Sequence, residues 1–177
     1  MIRRASAEFI GSALLAALVI GSGIAAQTLT PGDTGLQLLE NAFATALGLP
    51  VLILIFATVS GSHFNPVVSL VEAALGHRSW RDVAAYMPAQ IIGCLAGAIL
   101  ANLMFGLPAV SISTTDRFSW PHLLAEVIAT AGLVLVIFAL ARTGRGSVIP
   151  WAVGAYIGAA YFFTSSASFA NPAITIG

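Results

Sequence analysis

Five long apolar stretches dominate this sequence, and each is long enough to cross a bilayer, whose hydrocarbon core takes about 20 helical residues. They cover residues 5–27, 36–60, 81–105, 121–141 and 147–164. Hydrophobic residues make up 58% of the 177 positions and charged residues only 8%, whereas an ordinary soluble domain has about a quarter of its residues charged. Because so much apolar surface requires lipid as its solvent, the sequence predicts an all-α, multi-pass integral membrane protein.

The charged and reactive residues exclude several functional classes. Seven arginines balance seven acidic residues, so no basic face is available for nucleic acid. No phosphate-binding loop, nucleophile paired with a base, or carboxylate pair is recognisable, and the histidines and acids lack the spacing of metal ligands. Cys94 is the one cysteine, which excludes an intrachain disulfide. We therefore expect no enzyme activity, no cofactor, no metal and no nucleic-acid partner.

The arginines predict the orientation of the spans. When the loops alternate between the two sides, six of the seven fall on one side, namely Arg3, Arg4, Arg78, Arg81, Arg142 and Arg145, and only Arg117 falls on the other. Cytoplasmic loops carry an excess of arginine and lysine, so we expect a cytoplasmic N-terminus in the plasma (inner) membrane. A secretory signal is the alternative for the first span, but the run is long, Glu8 lies near its start and four more spans follow.

Two short apolar segments begin with Asn-Pro and are too short to cross the membrane. The first, Asn65-Pro66-Val67, continues for about ten residues and is followed by Arg78, on the side where the second span ends. It must therefore enter the membrane and return, or lie at the interface. The second, Asn171-Pro172-Ala173, follows the fifth span and enters from the opposite side. Asn is a favoured N-cap and Pro suits the first helical turn, so each motif predicts the start of a short helix.

The order of these elements repeats along the chain. Two spans and an Asn-Pro segment precede span three, and spans four and five are followed by the second Asn-Pro segment. Ala7-Glu8-Phe9 near the start of span one matches Ala125-Glu126-Val127 near the start of span four. An odd number of spans per unit inverts the second copy, and inverted repeats with broken helices indicate a site at the membrane midplane. We expect one membrane domain, residues 1–177, with repeats at about 1–105 and 119–177.

Glycines and tryptophans predict how the spans pack and how they lie in the bilayer. Gly93 and Gly97, and likewise Gly154 and Gly158, form small-residue faces that allow close helix packing. The three tryptophans lie at span ends, where aromatic side chains anchor helices at the membrane interface: Trp80, Trp120 and Trp151.

Taken together, the motifs resemble the aquaporins, or major intrinsic proteins, over essentially the whole chain. The stretches that carry the resemblance are Ala7-Glu8-Phe9 with Gly21-Ser22-Gly23, residues 60–67, residues 168–173, and Tyr86, Gln90, Gly93, Gly97 and Ala98 in the third span. The resemblance implies an aquaporin-like fold of six helices and two re-entrant half-helices. It also implies passive conduction of water and small neutral solutes by a homotetramer in the lipid bilayer, with one pore per subunit.

By motif position, the resemblance implies roles for individual residues. The pore constriction would consist of Asn65, Pro66, Val67, Asn171, Pro172 and Ala173. Glu8 and Glu126 would support the pore loops from inside the bundle, although acids near span ends can instead reach toward the membrane surface. His63 would be a hydrogen-bonded structural group of the first loop, although a histidine beside a pore could titrate and gate it.

The outer filter departs from the family pattern. The family usually places an arginine directly after the second Asn-Pro-Ala, and this chain has Ile174 there. By spacing from the two motifs, the other filter positions would be Thr45, Ala159 or a neighbour of it, and Ser168. This set predicts a wider and more apolar constriction that passes glycerol, urea-like molecules or undissociated arsenous acid. The alternative is that Ile174 faces a neighbouring helix.

The C-terminal end departs from the family as well. The first repeat continues from Val67 to Phe105, whereas the second stops soon after its Asn-Pro motif, so the sixth helix is missing. The chain is therefore either a fragment of a longer protein or a natural truncation. We expect a channel for small uncharged solutes. The alternative is a non-conducting truncated membrane fragment, or an interaction partner without a complete pore.

Overall fold

The computed structural model describes residues 1–111 and 119–176. The helices are α1 (Ile2–Leu29), α2 (Thr34–Phe56), α3 (Pro66–Ala74), α4 (Trp80–Met104), α5 (Trp120–Arg142), α6 (Ile149–Phe163) and α7 (Pro172–Ile176), and a 3₁₀ turn, Gly146–Val148, leads into α6. The described ranges contain no strand, which confirms the predicted all-α class. Arg117, which was counted in predicting the orientation, lies outside the described residues, and so does Gly177.

Five of these helices are long and apolar enough to cross a membrane: α1, α2, α4, α5, and α6 with its 3₁₀ turn. They correspond to the five predicted spans. The boundaries differ by a few residues, most at the end of α2, which stops at Phe56 because residues 57–60 form a turn rather than a continuation of the helix. The next residue, Gly61, has a φ of 94°, a backbone conformation that glycine adopts easily and a right-handed helix does not contain.

Side-chain caps fix where several helices begin. Asp33 accepts a hydrogen bond of 2.9 Å from the Leu36 N–H at the start of α2, and Ser79 accepts one of 3.1 Å from the Asp82 N–H at the start of α4. Each cap satisfies one of the backbone donors that the first turn of a helix leaves unpaired. The short helices α3 and α7 use asparagine for the same purpose, and this places their first turns in the candidate site.

The helices α1 and α4 approach so closely that no side chain fits at two glycines between them. A Cβ atom at Gly93 would overlap the carbonyl oxygen of Phe9, and one at Gly97 would overlap the carbonyl oxygen of Ala13. Because the obstacles are backbone atoms, rotation of a side chain cannot relieve the overlap. The predicted packing role of Gly93 and Gly97 is confirmed.

The helices α2 and α6 form a second close pair. A Cβ atom at Gly154 would overlap Pro50 and the carbonyl oxygen of Ala46, and one at Gly158 would lie 2.8 Å from the Ala46 Cβ. The predicted role of this glycine pair is confirmed as well. The same contacts fix the rotation of α6 about its own axis, so they determine which of its residues face the interior.

The helix α5 is the least enclosed of the five spans. Its buried residues are Ala129 and Leu133, and Tyr156 of α6 donates a hydrogen bond of 3.0 Å to the Ala129 carbonyl. Within the described part of the chain, no helix packs on α5 as extensively as α4 packs on α1. The remaining surface of α5 carries exposed apolar side chains, among them Leu124 and Val127, which suit contact with lipid or another helix.

Candidate functional site

Two asparagines from opposite repeats meet in the interior and bind each other's loops. The Asn65 Nδ2 donates a hydrogen bond of 2.7 Å to the carbonyl of Ala170, and the Asn171 Nδ2 donates one of 2.7 Å to the carbonyl of Phe64. Each asparagine therefore bonds to the residue that precedes the other. A primary amide has two N–H groups, so each asparagine keeps one donor besides the one used in this exchange.

The same asparagines cap the two short helices. The Asn65 Oδ1 accepts from the Val67 N–H at 2.9 Å, and the Asn171 Oδ1 accepts from the Ala173 N–H at 3.0 Å. The proline after each asparagine has no N–H and needs no partner in the first turn. The positive ends of α3 and α7 therefore lie at one place.

The loops before the two asparagines have the same backbone conformation. Ser62 and Phe64 have φ values of 53° and 49°, and Ser168 and Ala170, at the matching positions of the second loop, have values of 50° and 45°. These are left-handed conformations, which residues other than glycine rarely adopt. Because these conformations recur at equal distances from Asn65 and Asn171, the two loops follow the same backbone path into their short helices.

One carboxylate stabilises each loop in this conformation. Glu8 accepts hydrogen bonds from the N–H groups of His63 and Phe64, at 3.1 and 2.7 Å. Glu126 accepts from the N–H groups of Phe169 and Ala170, at 3.0 and 2.7 Å. Each carboxylate therefore binds the two N–H groups directly before an asparagine, while the carbonyls of Phe64 and Ala170 accept from the opposite asparagine.

The Glu8 site is the more enclosed of the two. Glu8 is 0% exposed and accepts two further hydrogen bonds, one from the Ser60 hydroxyl and one of 2.7 Å from the Gln90 Nε2. Tyr86 in turn donates to the Ser60 carbonyl at 2.7 Å. A buried charge is tolerated when several donors surround it. Glu126 is only partly buried.

A cavity of about 180 Å³ lies against both asparagines. Six of the sequence-predicted site residues line it: Thr45, His63, Asn65, Ser168, Asn171 and Ile174. The residues that follow each asparagine, Pro66 with Val67 and Pro172 with Ala173, are not part of the lining and form the first turns of α3 and α7. Apolar residues from five helices make up most of the remaining wall, including Leu15, Leu49, Val68, Leu133, Val153 and Ile157.

His63 lies between two polar neighbours at the wall of this cavity. Its Nδ1 is 2.9 Å from the Ser69 hydroxyl, and its Nε2 is 3.4 Å from a terminal nitrogen of Arg78. The ring also meets Tyr86 edge to face, with centroids 5.4 Å apart. Arg78 itself lines the cavity. From the sequence, Arg78 was expected to be only a loop residue, because nothing local indicates that its side chain reaches back into the bundle.

On α6 the predicted filter residue Ala159 is corrected to other residues of the same helix. It presents Val153, Ile157 and Tyr161 to the cavity, whereas Ala159 is exposed on another side of the helix. The physical reason is the packing of Gly154 against α2, which fixes the rotation of α6. Two of these cavity residues, Ile157 and Tyr161, are neighbours of Ala159. The apolar residues Val153, Ile157 and Tyr161 recur at a spacing of one helical turn, which is the signal that could have found them.

The other residues predicted for the filter combine one bonded hydroxyl, one hydroxyl without a partner and one apolar side chain. The Thr45 hydroxyl lies 3.1 Å from the Tyr161 hydroxyl. Ser168 is 3% exposed, and its hydroxyl has no hydrogen-bond partner among the described residues. Ile174 lines the cavity and also packs against buried apolar residues. This wall can bind a solute by a few hydrogen bonds while most of its surface stays apolar.

Comparison with known proteins gives a consistent result. The sequence pattern of the family described as "Major intrinsic protein" matches residues 1–177. The chain is 49% identical to "Aquaglyceroporin AqpS" of Rhizobium meliloti (strain 1021), over 98% of this chain and 74% of that protein. It is 30% identical to "Probable aquaporin TIP1-2" of Oryza sativa subsp. japonica, over 99% and 73%. The fold matches the X-ray structure of the aquaglyceroporin from Plasmodium falciparum with a TM-score of 0.81, at 23% identity, over 99% of this chain and 78% of that one.

Proposed function

The chain belongs to the major intrinsic protein family, and from this premise we propose that it is a passive transmembrane channel for water and small uncharged solutes. The observation that carries the proposal is the reciprocal pair Asn65 and Asn171. Both side chains line one cavity, and each keeps a second amide N–H with which to bind a passing oxygen atom.

The charge distribution around the pair favours uncharged solutes. The helices α3 and α7 direct their positive ends toward the asparagines, so a cation that enters between them meets repulsion in addition to the cost of losing its water. Loop residues on both sides of the pair line the cavity, among them Ser62 and Ser168, and we propose that their backbone carbonyls supply polar groups there. Water and small alcohols can exchange hydrogen bonds along such a surface without carrying charge.

The outer part of the cavity supports solutes larger than water. Ile174 and Ile157 offer no hydrogen bond, and the hydroxyls of Thr45, Tyr161 and Ser168 offer few. We propose that glycerol, urea-like molecules or undissociated oxyacids such as arsenous acid pass along this wall. The part of each molecule that makes no hydrogen bond would contact the isoleucines. That a relative at 49% identity is named an aquaglyceroporin supports the choice of solute class.

We extend the proposal to a homotetramer in the plasma membrane with a cytoplasmic N-terminus. Large apolar side chains are exposed on the outer faces of the helices, including Phe43 and Leu54 of α2, and they suit lipid or a neighbouring subunit. Trp80, Trp120 and Trp151 are exposed at the starts of helices, where aromatic anchors occur. The excess of arginines in one set of loops supports the orientation.

The test is an osmotic assay on the purified protein in proteoliposomes. Vesicle shrinkage under a sorbitol gradient reports water flux, and re-swelling in glycerol reports solute flux. Both rates should rise with the amount of protein, depend weakly on temperature and need no ion gradient. A requirement for a proton or sodium gradient would contradict passive conduction. No protein-dependent flux of water or solute would favour the non-conducting alternative.

A further inference from the structure

Arg78 belongs to the connection between α3 and α4, yet its guanidinium reaches the loop that leads to Asn65. A terminal nitrogen lies 3.4 Å from the His63 Nε2, and the guanidinium carbon lies 5.6 Å from the centre of the Tyr86 ring. A Cβ atom at Gly61 would be 2.6 Å from the same terminal nitrogen. The head group therefore lies against the backbone of this loop, where it lines the cavity.

The guanidinium has no carboxylate partner among the described residues. The ion pair found there joins Arg4 to Asp82 at 3.4 Å, and the Arg78 Nε is buried with no hydrogen-bond partner. Glu72 also lines the cavity, but it makes no ion pair with Arg78 within the described chain. An arginine keeps its charge at any accessible pH and carries five N–H donors, so Arg78 presents an unneutralised charge with spare donors.

The position of Arg78 is at the opposite end of the cavity from Ile174. The helix α3 runs from Asn65 toward the connection that contains Arg78. The second repeat enters from the other side, so α7 and Ile174 extend away from that connection. The two ends of the cavity therefore differ in chemistry, with an arginine at one and an isoleucine at the other.

We propose that Arg78 is a specificity-determining residue, whose fixed charge repels cations from this mouth and whose free N–H groups bind the oxygen atoms of uncharged solutes. The inference rests on the proposed channel function. It also specifies the end of the cavity at which ions are excluded. Charge selection does not then depend on the outer filter, where Ile174 carries no charge. Cation–π contact with Tyr86 and contact with His63 hold the head group in place.

The experiment compares Arg78→Gln with the parent in proteoliposomes and measures potassium permeability as a ratio to water permeability in one preparation. We expect this ratio to rise by about tenfold, because one unit charge beside the path is removed. Arg81→Gln is the matched control, since Arg81 is an exposed arginine of the same region that does not line the cavity. It should leave the ratio unchanged. Glu72→Gln should not raise the ratio, because it removes a negative charge from the same cavity wall, and a rise would contradict selection by charge.

Two further outcomes decide the inference. Arg78→Lys keeps the charge but loses the planar donor group, so it should retain most of the cation exclusion and lose part of the glycerol flux relative to water flux. If Arg78→Gln does not assemble, an unchanged ratio of glycerol to water flux in Arg78→Lys contradicts the inference. If the parent conducts water and solute, and Arg78→Gln has the same ratio of potassium to water permeability as the parent and as Arg78→Lys, this inference alone is overturned. A parent that conducts neither water nor solute would overturn the channel function and this inference with it.

Discussion

Glu8 and Glu126, one in each repeat, bind the two re-entrant loops by the same pair of backbone hydrogen bonds. Each carboxylate accepts from the N–H groups of the two residues that precede an asparagine. The shared geometry means that each loop depends on a carboxylate from the helix bundle, in addition to the hydrogen bonds made by its own serines. The difference between the two sites is their enclosure, because Glu8 is fully buried and Glu126 is only partly so.

We predict that Glu8→Gln destabilises the protein more than Glu126→Gln. A glutamine amide would direct N–H groups at other N–H groups, and each buried donor left unpaired costs about 1–3 kcal/mol. At Glu8 the solvent cannot replace the lost acceptor, whereas at Glu126 it can in part. The measurement is the thermal unfolding midpoint in detergent, with Glu72→Gln as the control. An equal or larger loss for Glu126→Gln would contradict the ranking.

We predict that Gly97→Ala separates α1 from α4. The new methyl group would overlap the carbonyl of Ala13, and a forced displacement of packed helices costs about 1–3 kcal/mol. Gly146→Ala is the matched control, because a Cβ there meets nothing within 4 Å. Denaturation in increasing detergent should show a lower midpoint for Gly97→Ala and an unchanged one for Gly146→Ala. Equal midpoints would show that the helices do not depend on this close approach.

We predict that Ile174→Arg lowers solute flux more than water flux. The guanidinium is larger than the isoleucine side chain and adds fixed donors and charge at the cavity wall. The measurement is the ratio of glycerol to water permeability in one preparation, which is insensitive to protein density. Ala159→Leu is the control, because Ala159 is exposed and does not line the cavity. An unchanged ratio for Ile174→Arg would mean that this residue faces a neighbouring helix instead.

The elements that the sequence predicted best are those that depend on local patterns. Apolar length alone identified five spans, and Asn followed by Pro identified the starts of α3 and α7, because both chemical requirements act within one helical turn. The close approach at Gly97 and Gly154 was also predictable, since small residues one turn apart have few other uses in a membrane helix.

The features that the sequence did not predict depend on the rotation of helices and on distant contacts. Spacing from the two Asn-Pro motifs predicted Ala159 or a neighbour of it for the filter, and the packing of Gly154 on α2 turns Ile157 and Tyr161, two of its neighbours, to the cavity. Arg78 follows α3 in sequence, and its contact with His63 arises only when the chain folds back. No periodicity in the sequence encodes such a contact.

The measurement that tests the account most directly is the potassium permeability of Asn65→Asp and Asn171→Asp, each relative to water permeability. An aspartate can still accept the capping N–H of Val67 or Ala173, so the short helices should form. It cannot donate to the opposite loop, and it places negative charge at the two positive helix ends. Asn41→Asp is the control, because Asn41 does not itself line the cavity, although its amide donates to the carbonyl of Val19. The account predicts a higher potassium ratio for Asn65→Asp and Asn171→Asp and an unchanged ratio for Asn41→Asp. Water flux with no rise in the potassium ratio for either pore variant would contradict the claim that this pair forms the constriction.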